Sequence, residues 1–147
     1  MRRERFWIRW LSVASLALVL FGVGMALLNR TPVFDLFNRS IDYRFWPGGV
    51  PLGTGSFQGW VYGAWGATVA GWGLTAAFVV RYALRRGQPW AWWALVSGFS
   101  VWFVIDTALS ALAGVWVNVG LNAFVLLVFA VPLAAGARGW LKGSPDP

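Results

Sequence analysis

The sequence predicts an all-α integral membrane protein, an antiparallel four-helix bundle with a short amphipathic interfacial helix between helices 1 and 2. Three observations carry this expectation. Four stretches are long and apolar enough to cross a bilayer, the basic residues collect on one side of them, and the tryptophans gather at their ends. Apolar residues make up 59% of the 147 and charged residues only 12%, against roughly 25% charged in soluble proteins. A soluble domain of this size has too much surface for its volume to hide so many apolar side chains. Lipid must serve as part of the solvent.

A helix needs about 20 apolar residues to cross the hydrocarbon core. The expected spans are residues 10–28, 57–84, 90–113 and 115–137, in a single transmembrane domain over 1–147. No charge interrupts residues 11–28. Arg2, Arg3 and Arg5 ahead of an apolar run also fit a signal peptide. The run is long for one and no small-x-small cleavage site follows it, so it reads as a retained anchor.

Residues 29–56 form the outer segment. Thr31-Pro32 starts a helix, with Thr as N-cap and Pro at the first helical position. Val33, Phe37, Ile41 and Phe45 then recur on one side, while Asp35–Arg39 and Asn38–Asp42 form i,i+4 pairs on the other. Pro47-Gly48-Gly49 ends the element. Such a helix lies in the membrane interface, the alternative being a lid over the bundle mouth. Gly114 marks a tight turn between the third and fourth spans. Pro132 removes one helical hydrogen bond and predicts a kink or an early end. The tail, 143–147, reads as disordered.

Nine basic residues set the orientation: Arg2, Arg3, Arg5 and Arg9 before the first span, Arg81, Arg85 and Arg86 after the second, Arg138 and Lys142 after the fourth. The opposite side holds only Arg30, Arg39 and Arg44, mixed with Asp35 and Asp42. The excess belongs on the cytoplasmic side, with both termini, and the expected location is a bacterial inner membrane. Trp7, Trp10, Trp60, Trp90 and Trp140 are among nine tryptophans near an expected membrane boundary, the layer an indole prefers. Trp65, Trp72 and Trp102 fall deeper, and must find partners in the bundle or line something.

Asp106 is the one ionisable residue deep within a span. A charge there costs at least about 2.5 kcal/mol, which marks a functional-site hypothesis. Reflection about Gly114 brings Asp106 level with Asn122 and Ser110 level with Asn118. Asp106 and Ser110 share a helix face, as do Asn118 and Asn122. The four form an expected polar seam with Trp102 nearby, the carboxyl donating to Asn122. The bland reading is a hydrogen-bonded helix contact, contributing about 0.6 kcal/mol per bond. The functional one is a site for a proton, a cation or a lipophilic amine. In the second span Gly59, Gly63, Gly66, Ala70 and Gly73 follow three- and four-residue steps, a small-residue stripe for close packing within the chain or between copies.

The chain has neither cysteine nor histidine. This excludes disulfides, thiol nucleophiles, thiolate metal sites, histidine-based acid–base chemistry and histidine ligation of haem, and no cofactor or metal is expected. The net charge of +7 would raise nucleic acid in a soluble protein. Placed at helix ends it points to anionic lipid headgroups, so membrane lipids and not nucleic acid are the expected partners.

The run Trp90-Ala91-Trp92-Trp93, followed by Asp106, Ser110, Asn118, Asn122 and Pro132-Leu133, resembles small bacterial four-helix integral membrane proteins, a likeness that implies no activity. Small multidrug-resistance transporters are similar in size but depend on an acidic residue in their first helix, which residues 11–28 lack. Sterol-isomerase-like four-helix proteins use embedded acidic and histidine residues, of which this chain has only Asp106. The leading expectation is a non-enzymatic component of a homo-oligomer or larger membrane assembly, packed through the small-residue stripe. The alternative is a binder or transporter of a lipophilic or cationic small molecule through Asp106. A small lipid-modifying enzyme comes third, because one carboxyl without a base partner or nucleophile gives no mechanism.

Overall fold

A computed structural model of the chain describes residues 2–142; the expected disordered tail lies outside the described residues. All regular structure among them is helical: α1 (Arg2–Leu28), α2 (Asp35–Phe45), α3 (Thr54–Phe78), α4 (Pro89–Ala113) and α5 (Trp116–Leu141). Four helical segments, Arg3–Leu28, Thr54–Arg86, Pro89–Ala113 and Trp116–Leu141, are long and apolar enough to cross a membrane. They outrun the expected spans at several ends, because the charged turn before Trp10 and the turn after Ala137 are helical too.

The connections follow from glycine. Gly87 (φ +72) and Gly114 (φ +74) take the left-handed conformation that a side chain disfavours. At Gly114 the Val115 N–H bonds the Ser110 carbonyl at 2.8 Å and the Gly114 N–H bonds Ala111 at 3.0 Å, and Gln88 and Gly87 repeat the pattern on Ala83 and Leu84. Both satisfy carbonyls that a helix end leaves open. Before Gly87 the chain of α3 widens into a π turn over Val79–Ala83, burying Val80 and Leu84 completely.

α1 lies closest to α3, and small residues set that closeness. A Cβ on Gly66 would fall 2.5 Å from the Ala26 nitrogen and 2.6 Å from the Gly22 oxygen, and one on Gly73 would fall 2.8 Å from the Val19 nitrogen. A Cβ on Gly22 would run into Ala70. Gly59 lies under Arg30, and Gly63 faces Ala26 with room for a methyl group at 3.5 Å. The stripe of α3 is therefore occupied by α1 of the same chain.

α5 continues through Pro132 to Leu141, so the expected early end does not occur. The carbonyl that Pro132 would leave open, that of Val128, accepts the Trp10 indole N–H at 3.0 Å. Neighbouring helices commonly satisfy the groups an embedded proline frees.

The two halves of the molecule differ. Toward the chain termini, Leu11, Val80, Leu84, Leu95, Phe99 and Phe129 close a tight core. Toward α2 the helices leave a partly open cavity between them instead. α2 starts later than expected: Pro32–Phe34 forms a separate single turn, and the Thr31 hydroxyl donates back to Leu28 at 2.7 Å rather than capping a helix. Asp35 and Arg39 pair at 3.2 Å. Asn38 and Asp42 do not bond each other: Asn38 donates to the Asn29 carbonyl at 2.6 Å, and Asp42 accepts from Gln58 at 2.8 Å. Both groups tie α2 down onto α1 and α3, which outcompetes the local pair.

Candidate functional site

The cavity measures about 330 Å³ and is lined by side chains of all five helices. Phe21 and Met25 of α1, Val69 and Trp72 of α3, and Leu121 and Val125 of α5 form apolar walls. Its floor is an aromatic stack reaching into the core, with ring centroids 5.4 Å apart for Trp102–Trp72, 4.6 Å for Trp72–Phe99 and 4.0 Å for Phe99–Phe129. Phe34 and Phe37 close the other end, Phe34 against Phe21 at 6.2 Å and Phe37 against Tyr62 at 6.0 Å. The segment read as an interfacial helix thus also roofs a cavity.

One stretch of wall is polar, where Asp106, Asn118 and Asn122 meet the space. Asn118 donates to Asp106 Oδ1 at 2.7 Å, Asn122 donates to the same oxygen at 3.1 Å, and the Ser110 hydroxyl adds a third bond at 3.1 Å. The expected direction between Asp106 and Asn122 is reversed: the carboxyl accepts. Asn118 also reaches Ser110 Oγ at 2.8 Å, and Asn122 reaches Thr107 Oγ1 at 3.2 Å. Asn118 and Asn122 are only 4% and 2% exposed, so their amides depend on these acceptors. Asp106, Ser110, Asn118 and Asn122 are brought together, with Trp102 one helical turn away on the cavity wall.

Thr107 belongs to the cluster and escapes the sequence reading, because it stands one residue off the face shared by Asp106 and Ser110. A hydroxyl next to the one embedded acid is the available signal. Trp65, Trp72 and Trp102 all line the cavity, which accounts for their depth. Ser110 bridges Asp106 and Asn118 but does not line the space, and neither Arg39 nor Arg44 reaches it. Arg44 instead lies over Gly114, at the turn between α4 and α5.

The arrangement supplies one carboxyl group oriented through one oxygen by three donors, set into an apolar wall beside indole rings. Apolar walls with one polar point are the usual make-up of small-molecule pockets. Among the described residues that line the space, none carries a hydroxyl, thiol or amine group. No protein-family model, curated protein or solved structure matches the chain.

Proposed function

We propose that the protein is a multi-pass membrane protein that binds a lipophilic molecule with a cationic or hydrogen-bond-donating head, the head meeting Asp106 and the body filling the cavity. The observation that carries this reading is the cavity of about 330 Å³ with Asp106 in its otherwise apolar wall. Its volume lies at the lower end of ligand pockets, roughly 300–1,000 Å³. The four spans run antiparallel, supported by the pairing of Ser15 and Val19 with Gly73 and of Gly22 and Ala26 with Gly66, and of Trp92 with Leu133 and Ser110 with Asn118. Exposed Leu20, Leu27, Val104 and Leu109 suit a lipid-facing surface, and the nine basic residues support a cytoplasmic position for both termini.

Assembly through the small-residue stripe is the weaker reading, since α1 of the same chain covers that face. Native mass spectrometry of protein gently extracted from its own membranes separates the two. One small molecule bound in stoichiometric amount, and lost from Asp106→Asn, is the expected result. A defined complex with other polypeptides and an empty cavity would replace binding by assembly.

A further inference from the structure

The cavity under α2 is only partly enclosed, and a second space adjoins it. A groove of about 500 Å³ lies between α3 and α4. Trp65, Val69, Trp72 and Trp102 line both the groove and the cavity, so a wall one side chain thick separates them. The backbones of α3 and α4 diverge here; α4 is met instead by the continuation of α3 over Val79–Ala83 and Leu84–Arg86. The outer lip carries Thr68, Ser97, Gly98 and Val101. Thr68 donates to the Ala64 carbonyl at 3.0 Å and Ser97 to Trp93 at 2.7 Å. Each hydroxyl is thereby satisfied within its own helix, and the lip is compatible with a hydrocarbon neighbour. A Cβ on Gly98 would touch nothing within 4 Å. α2 itself is held to Asn29 and to α3 by the Asn38–Asn29 and Gln58–Asp42 hydrogen bonds and by the Phe37–Tyr62 contact, while Val33 and Leu36 on the cavity's margin stay exposed.

Resting on the binding reading above, we infer that the cavity takes its ligand sideways from the bilayer, through the groove between α3 and α4 and past Trp72 and Trp102. The ligand is accordingly a membrane-dissolved amphiphile, a single apolar chain bearing a cationic head. Its chain occupies the groove during entry, because only the side chains shared by the two spaces stand between the groove and the cavity. The two indoles meet at 5.4 Å with their planes tilted by 54°, and rotation of either opens the wall.

The test uses the whole protein in lipid nanodiscs, with radiolabelled dodecylamine as the probe. Gly98→Trp fills the groove. Gly120→Trp places the same bulk at an open, exposed glycine of α5 and serves as the control. Because affinity is the ratio of the two rates, a blocked entrance slows association and dissociation together, by about tenfold or more, and leaves the dissociation constant within about twofold. Gly120→Trp keeps wild-type rates. Val101→Trp, at an exposed lip position, repeats the test if Gly98→Trp does not fold. Wild-type rates in the folded groove variants overturn the lateral route while binding itself stands. A wild-type protein that binds no dodecylamine removes the binding reading, and this inference with it.

Discussion

The indole N–H of Trp10 donates to the carbonyl of Val128 at 3.0 Å, and Val128 is the residue four positions before Pro132. Proline has no N–H to offer that carbonyl, so α1 supplies the donor that α5 lacks. Trp92 makes a second indole contact with α5, donating to the Leu133 carbonyl at 2.9 Å. Tryptophans that read as interfacial anchors are therefore also struts between helices. Between the two contacts, Phe129 and Leu133 pack into the core.

That relationship makes the first prediction. Trp10→Phe keeps the ring and removes the donor, and destabilises the protein by about 0.6–1.7 kcal/mol. Pro132→Ala restores the N–H. In that background Trp10→Phe costs less, and a double-mutant cycle of thermal stabilities in detergent measures the coupling. Equal costs in both backgrounds would show that the indole does not stand in for the missing N–H.

The α1–α3 contact leaves no room for a methyl group at Gly66, whereas a Cβ on Gly71 would meet nothing within 4 Å. Gly66→Ala is expected to destabilise by about 1–3 kcal/mol through overpacking. Gly71→Ala is neutral or slightly stabilising, because alanine favours the helix by about 1 kcal/mol. Thermal shifts of the two purified variants check the contrast.

Gly114 holds a left-handed turn at φ +74, and the Arg44 side chain lies against it. Gly114→Ala strains the turn, at a cost of about 1–2 kcal/mol, and also displaces Arg44 from its seat. The expected result is a lower melting temperature together with faster hydrogen exchange in α2. A melting change with unaltered α2 exchange would mean that Arg44 does not hold the roof.

Asp106 serves two amides that are almost fully buried. Asp106→Leu leaves Asn118 and Asn122 without their shared acceptor and costs about 1–3 kcal/mol. Asp106→Asn keeps an oxygen there and stays within about 1 kcal/mol of the wild type. Unfolding midpoints in bicelles distinguish the pair.

The register of the α4–α5 seam was legible because Gly114 leaves no slack: once the turn is placed, Asp106 must face Asn122 and Ser110 must face Asn118. The four long apolar helices were equally open to reading, since length and composition alone define them. The cavity was not. It arises because bulky core side chains fill the terminal half while α1 and α3, drawn together by glycines, leave the other half open between α3 and α4. Such contacts join residues far apart in the chain, and one sequence carries no mark of them. The roof formed by α2 was hidden for a related reason: Asn38 and Asp42 have ideal spacing for each other, but Asn29 and Gln58 compete for them successfully. The depth of Trp65, Trp72 and Trp102 was the one local hint that something lay between the helices.

The most direct measurement is the equilibrium affinity of the nanodisc-embedded protein for dodecylamine, in the wild type and in Asp106→Asn. A carboxylate that holds a cationic head predicts a loss of about tenfold or more, equivalent to about 1.4 kcal/mol, with folding and the seam hydrogen bonds retained. Equal affinity in the two proteins would contradict the account and leave Asp106 as a helix-packing residue.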